Sequence, residues 1–263
     1  MPSLRVVAER TDLAGVVTQP DRPAGRGQKL TPSPVKRAAI DLGLRVYEPQ
    51  RLRAFAEELD GGFDLFALAA YGRILPASVL DVPRLGALNV HPSLLPKYRG
   101  ATPIQTALRD GVAETGVSIM LMDAGMDTGD IVLQERVAVG PMETYGELHD
   151  RLARAGAHLL GRAIDLAAAG PLPHAPQSRE PSLTAPIRTS DLTIDMSWPP
   201  QRIVDFVRAY SPQPAARAVF DGETVKILRA HVDDNDALVI DTLIAPNRGR
   251  MSGDEYARSR RPR

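Results

Sequence analysis

Asn89 and His91 lie two residues apart at the end of an apolar run, in the segment Gly86-Ala-Leu-Asn-Val-His-Pro-Ser-Leu-Leu-Pro-Lys-Tyr-Arg-Gly100. An amide can donate a hydrogen bond to an oxygen that gains charge, and an imidazole titrating near neutrality can carry protons. Side chains alternate between the faces of a strand, so the two emerge on one face, and Pro92 stops the strand just beyond them. A second stretch, Met122-Asp-Ala-Gly-Met-Asp-Thr-Gly-Asp130, is an acidic, glycine-rich loop ahead of the apolar run Ile131-Val-Leu133. Amide, imidazole and carboxylate can converge there without a metal or a cysteine.

The elements that must position these groups read as an alternation of strands and helices, an α/β pattern. Residues 63–69 form a continuous apolar segment, expected for a strand covered on both faces, and residues 85–90 form the strand that carries Asn89. Ligands of open α/β sheets sit at the carboxyl ends of such strands. Upstream, residues 4–10 read as a helix and 14–18 as a buried strand. Ser33-Pro34 reads as a helix cap closed by Gly43, and 44–47 as a short strand. Downstream, Thr102-Pro103 repeats that cap, with Gly111 ending its helix, and 116–122 and 131–139 are strands paired across the acidic loop. Thr144-Tyr-Gly-Glu147 is a capping box opening a helix whose Leu148, Leu152, Ala155 and Leu159 share a face, stopped by Gly170-Pro171. His149 and His158 on that helix are surface or packing histidines. Residues 171–200 are dense in proline without apolar periodicity and read as a linker. A helix at 201–210, a hairpin of 216–220 and 224–231 turning at Asp221-Gly222, and a strand at 238–244 follow.

At 263 residues, one large domain or one domain plus a smaller one is expected. Lysine plus arginine total 32 and match the 32 acidic residues, so the whole chain has no polyanion-binding signature and any nucleic-acid contact must come from local patches. Two such patches exist. Arg22, Arg26 and Lys29 in Gln19-Pro-Asp-Arg-Pro-Ala-Gly-Arg-Gly-Gln-Lys-Leu30 are offset only by Asp21, and residues 248–263 carry six arginines against Asp254 and Glu255. Each reads either as a phosphate grip or as a solvated charged segment. Without cysteine there is no disulfide, thiolate nucleophile or Cys-ligated zinc. No apolar run is long enough to cross a bilayer and no signal peptide is evident, so a cytoplasmic protein away from membranes is expected.

The segments NVHPSLLPKYRGATPIQ and MDAGMDTGD resemble the folate-dependent formyltransferases, and VVTQPDRPAGRGQKLTPSPVK narrows the resemblance to the branch that acts on methionyl-tRNA. The resemblance implies a Rossmann-like formyltransferase domain with a mostly parallel sheet over residues 1–170, the linker 171–200, and a small OB-like β-barrel domain contacting tRNA over 201–263. It implies that Asn89, His91 and Asp127 are catalytic. Tyr71, Gly72, Ile74 and Leu75 of the AYGxILP loop, with Ser93, Leu94, Leu95 and Pro96, would bind the donor, 10-formyltetrahydrofolate. Arg22, Arg26 and Lys29 would guide the acceptor stem of initiator methionyl-tRNA. A monomer without a metal is expected. Asp123 and Asp130 read as turn-forming neighbours rather than catalysts.

Two departures and two alternatives accompany the resemblance. The family begins with a strand and a GTP-containing turn ahead of the segment matched by Pro2-Ser-Leu4, so an exposed central strand edge is expected. Ser211-Pro-Gln-Pro-Ala215 replaces a tryptophan-containing version, and the C-terminal strands are few for a closed barrel, so weaker tRNA affinity is expected. A formyltransferase for a small amine, such as glycinamide ribonucleotide or an aminosugar nucleotide, shares the Asn, His and Asp but lacks a reason for the DRPAGRG loop. A catalytically inactive folate- or RNA-binding homologue is the other alternative. An intact Asn89, His91 and Asp127 speaks against it.

Overall fold

The computed structural model of the protein describes residues 1–24, 29–59, 61–178 and 180–260. In chain order it runs α1 (Pro2–Arg10), β1 (Val16–Val17), β2 (Arg22–Ala24), β3 (Lys29–Thr31), α2 (Pro34–Asp41), β4 (Val46–Tyr47), α3 (Leu52–Glu58), β5 (Phe66–Ala69), α4 (Ala77–Leu80), β6 (Ala87–His91), β7 (Arg99–Gly100), α5 (Pro103–Arg109), β8 (Glu114–Leu121), β9 (Ile131–Ala138), α6 (Tyr145–Ala169), β10 (Leu183–Thr184), α7 (Pro200–Tyr210), β11 (Ala216–Phe220), β12 (Glu223–Val232), β13 (Leu238–Ala245), β14 (Gly249–Ser252) and α8 (Gly253–Ser259). These residues form two compact units. One comprises Met1–Arg99, Gly116–Glu135 and Leu152–Pro181, the other Gly100–Thr115, Arg136–Arg151 and Ser182–Arg263. The segment expected as a linker is thus shared, 171–181 lying in the first unit and 182–200 in the second.

The first unit holds a four-stranded sheet in the order β5-β6-β8-β9. The expected mostly parallel sheet is mixed, because β5 and β6 run parallel while β6 and β8 run antiparallel. The acidic loop joins β8 directly to its neighbour β9, whereas β6 and β8 are brought together across β7 and α5, a connection whose direction no local turn dictates. β1 and β4 form a separate parallel pair, so among the described residues β5 is a sheet edge. Along β5, Ala67 and Ala69 are exposed where cover on both faces was expected, and the edge position accounts for it.

One sheet face is closed by α6. Leu159, Leu160, Ala163 and Ile164 of that helix pack on Leu88, Ile119 and Val132, with Val7 and Val90 alongside. Burial of side chains this size stabilises by about 1.5–3 kcal/mol each relative to exposure. Gly156 lets helix and sheet approach, since a Cβ there would stand 2.7 Å from Val90 Cγ1. Because Leu88 and Val90 point towards α6, Asn89 and His91 emerge on the opposite face. On that side Leu52, Leu75 and Val79 gather Phe66, Leu68, Tyr71 and Met122 into a smaller core. Helix α3, which supplies Leu52, was not legible: it is short and Arg51 makes no side-chain cap. By contrast the Ser33 hydroxyl accepts from Lys36 N–H at 3.1 Å, as its cap signature predicts.

In the second unit α7 lies beside α5 and under the antiparallel sheet β11-β12-β13-β14. Thr102 does not cap α5 with its side chain; its hydroxyl donates to the Ala185 carbonyl at 2.9 Å instead. The Thr144–Glu147 capping box is present, the Glu147 carboxylate accepting from Thr144 N–H at 2.8 Å. Residues 248–260 are folded rather than a charged tail: β14 leads into α8 through a second capping box, Ser252–Glu255, and Tyr256 is buried. Glu223 accepts from Tyr256 and Arg248, and Arg260 pairs with Asp221, so part of this basic patch is neutralised within the fold.

Candidate active site

The imidazole of His91 ends strand β6 and is only 4% exposed. The turn after Pro92 holds one side of it. The Tyr98 carbonyl lies 2.9 Å from His91 Nε2. A carbonyl can only accept, so Nε2 carries the proton and Nδ1 presents its lone pair. Facing Nδ1, at 3.6 Å, is Oδ2 of Asp127. That separation is too long for a hydrogen bond, so the pair attracts by charge once the ring is protonated. Burial pushes the His91 pKa below 6.5, and this outweighs the opposing pull of the Asp127 charge and the Tyr98 carbonyl. The Asp127 charge favours the imidazolium, but in the folded chain desolvation outweighs it and the neutral ring is the resting form.

Both partners of the ring come from strained backbone. Tyr98 has φ 59° and Asp127 has φ 53°, left-handed values that cost a non-glycine residue about 1–3 kcal/mol. Each must be held. Around Tyr98, the Ser93 hydroxyl donates to the Lys97 carbonyl at 2.6 Å, and the buried Ser118 hydroxyl donates to Ser93 O at 2.7 Å while accepting from Leu95 N–H at 3.1 Å. Gln134 donates to Leu95 O at 2.9 Å and to Ser118 Oγ at 2.8 Å, tying the turn to β9. Register puts Ser118 directly across from His91, so one strand pair carries both the imidazole and the support of its turn.

The Asp127 loop has further to travel. Leu121 is opposite Leu88, which places the loop leaving β8 at the far end of β6 from His91. It must fold back over the sheet by about 10 Å, three residues of strand rise, to bring Asp127 to the ring. Asp123 shapes the turn, accepting from Gly125 N–H at 3.0 Å and the Thr128 hydroxyl at 2.7 Å, as a turn-former should. Gly129 passes so close to the Leu121 carbonyl that a Cβ would overlap it. Gln177 then holds the loop from outside, donating to Asp127 O at 2.9 Å and Gly129 O at 2.8 Å. Asp130 pairs with His174 at 2.7 Å, and Ile131 and Ala175 exchange backbone bonds of 2.8 and 3.0 Å.

Of the other residues singled out in the sequence, Asn89 is half-buried opposite Met120, on the same face as His91. Tyr71 and Leu75 pack with Met122 at the entrance to the acidic loop, while Ile74 is 79% exposed and Gly72 is exposed with φ 71°. Gln19 donates to the Tyr71 carbonyl at 2.7 Å. The Tyr71 hydroxyl is buried and, among the described residues, without a hydrogen-bond partner. Ser93 and Leu95 are buried and serve the turn, whereas Leu94 and Pro96 are half-exposed. Arg22 and Lys29 are exposed on the ribbon formed by β2 and β3, where a plain loop was expected; Arg22 bonds Gln19, and Asp21 is held by Lys36 at 2.9 Å. Arg26 lies outside the described residues. Tyr98 and Gln177 carry no signal of their own in the sequence, one acting through its backbone and the other lying in the proline-rich stretch. Among the described residues no three His, Asp or Glu side chains gather as metal ligands do, and no helix is long and apolar enough to cross a membrane.

Comparison with known proteins adds an independent observation. Residues 3–164 match the family model described as formyl transferase, and residues 186–239 match formyl transferase, C-terminal domain. The chain is 43% identical over 246 residues to the methionyl-tRNA formyltransferase of Pelotomaculum thermopropionicum, covering 91% of this chain and 78% of that one. It is 45% identical over 234 residues to the enzyme of the same name from Xanthomonas euvesicatoria pv. vesicatoria, covering 86% and 76%. Among solved structures, WlaRD, a sugar 3N-formyl transferase crystallised with dTDP and 5-N-formyl-THF, is similar with a TM-score of 0.69 at 19% identity, covering 89% of this chain and 82% of that one.

Proposed function

The chain belongs to the formyl transferase family, and from that membership we propose that it transfers the formyl group of 10-formyltetrahydrofolate to the α-amino group of methionine carried on initiator tRNA, as a monomer in the cytoplasm. The observation that carries the chemistry is the buried His91, with Nε2–H committed to a carbonyl and Nδ1 free to take a proton beside Asp127.

The attacking amine must be neutral and must lose a proton as its nitrogen bonds the formyl carbon. His91 Nδ1 accepts that proton, directly or through one water, and the neutral resting ring suits a general base. The imidazolium so formed is stabilised by the Asp127 carboxylate at 3.6 Å. Asn89, on the same strand face, donates its amide N–H to the negative charge growing on the formyl oxygen; one such donor contributes about 3 kcal/mol. The proton on Nδ1 then passes to the leaving nitrogen of the folate, so charge and atoms balance.

The residues present fit a folate donor. Tyr71, Leu75 and Met122 offer an apolar wall for a flat ring, the exposed Ile74 gains cover when a ligand lies against it, and the Tyr71 hydroxyl, unpartnered among the described residues, is a group that a polar ligand edge can satisfy. Ser93 and Leu95 contribute by shaping the turn that bears Leu94 and Pro96. On the acceptor side, Arg22 and Lys29 of the exposed ribbon, with Arg26, meet tRNA phosphates. We read the four-stranded β11–β14 unit as a reduced OB-like domain contacting the tRNA, after a catalytic region of 1–170 and a linker of 171–200. The match of 186–239 to the C-terminal domain model supports this reading over a small-amine enzyme.

The test is to incubate the protein with 10-formyltetrahydrofolate and charged initiator tRNA and to detect formylmethionine by mass spectrometry, with glycinamide ribonucleotide in a parallel reaction. Formylmethionine is the expected product. Formylation of the small amine alone would overturn the tRNA assignment, and no product in either reaction would overturn the transferase reading.

A further inference from the structure

One side chain touches both arms that grip the imidazole. Gln177 donates its two amide N–H bonds to the carbonyls of Asp127 and Gly129, at 2.9 and 2.8 Å. Its Oε1 accepts from Arg99 Nε at 3.0 Å and Nη2 at 2.7 Å. Arg99 directly follows Tyr98, whose carbonyl holds His91 Nε2. The amide therefore spans from the loop that faces Nδ1 to the residue next to the group that holds Nε2. Its own position is fixed by the Ile131–Ala175 backbone pair and by the His174–Asp130 contact on the same segment.

We infer that Gln177 is a positioning residue for the transfer reaction, clamping the folded-back Asp127 loop against the Tyr98–Arg99 segment so that the carboxylate stays in range of His91 Nδ1. The inference rests on the assignment of His91 as base and Asp127 as its electrostatic partner. Two features require such a clamp. The β6–β8 register starts the loop at the wrong end of the strand. Asp127 sits at φ 53°, a conformation that persists only where surroundings impose it. An amide also has the right polarity, two donors for two carbonyls and an acceptor for a guanidinium; glutamate would set a carboxylate oxygen against two carbonyl oxygens.

The test compares wild type, Gln177→Met, Gln177→Glu and Asp127→Asn. Methionine keeps roughly the volume and removes the polar atoms, and thermal melts confirm that each variant is folded. The readouts are kcat and KM for both substrates, the acid limb of the pH profile, and the His91 imidazole titration followed by NMR without substrate. In Gln177→Met, kcat is expected to fall roughly tenfold or more with KM for tRNA unchanged. The acid limb and the His91 titration should move to lower pH, in the same direction as in Asp127→Asn. Gln177→Glu should lower kcat as well, and adding Gln177→Met to Asp127→Asn should lower kcat little further. Wild-type kcat and an unshifted His91 titration in Gln177→Met would overturn the clamp, as would a fully additive double variant. If Asp127→Asn itself leaves kcat and the titration untouched, it is the underlying assignment of Asp127 that fails.

Discussion

Replacing Asp127 by asparagine removes a charge from beside the imidazole while preserving the size of the side chain. The carboxylate is 3.6 Å from Nδ1, and the two side chains are 5% and 16% exposed, so bulk water does not screen them. At an effective dielectric of about 20, that separation corresponds to roughly 4–5 kcal/mol of attraction once the ring is protonated, against about 1 kcal/mol in bulk water. Asparagine retains a dipole, and the transition state carries only part of the proton, so about 3–4 kcal/mol is the expected loss, or 10²- to 10³-fold in kcat. KM for both substrates should change little, because the neutral resting ring needs the charge only when it takes the proton. The same substitution removes an influence that raises the His91 pKa, so the acid limb of kcat/KM should move to lower pH in the variant. Steady-state formylation of initiator methionyl-tRNA between pH 5 and 8 reads both effects. A loss under threefold, or an acid limb moving upward, would refute the charge-pair mechanism.

Asn89→Ala is expected to lower kcat by roughly 10²- to 10³-fold without unfolding the chain, measured beside its circular-dichroism melt. Ser118→Ala leaves the Leu95 N–H without its acceptor in a fully buried site, and a stability loss of about 1–3 kcal/mol by denaturant titration should accompany it. Because His91 is neutral when folded and charged when unfolded below pH 6.5, its contribution to stability is present above that pH and is lost as pH falls through it. His91→Gln should therefore lose less melting temperature than wild type between pH 7.5 and 5.5. Arg22→Ala should raise KM for tRNA but not for the folate and should flatten the salt dependence of tRNA use; equal KM values would mark the ribbon as plain surface.

How much of this was legible in the sequence varied with the range of the interaction. The Asn-x-His strand end, the Ser33 and Thr144–Glu147 caps and the shared face of α6 depend on neighbours a few residues apart, and each is present. Ser252 and Glu255 had the same capping-box spacing as Thr144 and Glu147, so the folded end of the chain carried a readable signal beneath its arginines. The mixed sheet was not readable, since pairing β6 with β8 joins segments separated by a helix and two turns. Neither was Gln177, because an amide in a proline-rich stretch gives no pattern; only a loop 50 residues earlier in the chain gives it a task.

The site reconciles two demands that oppose each other. A base must be neutral before it works, and burial of His91 secures that by disfavouring charge. Yet the same burial would make the protonated ring too costly once the reaction proceeds. Asp127 supplies the offset, and it can do so only at a separation where attraction acts without a hydrogen bond locking Nδ1 in advance. Had the carboxylate come within 3 Å, the proton would already reside on the ring and the lone pair would be gone. The two left-handed residues, the serine-tied turn and the loop folded back over β6 are thus different solutions to one geometric problem: Nε2 fixed by contact, Nδ1 attended at a distance.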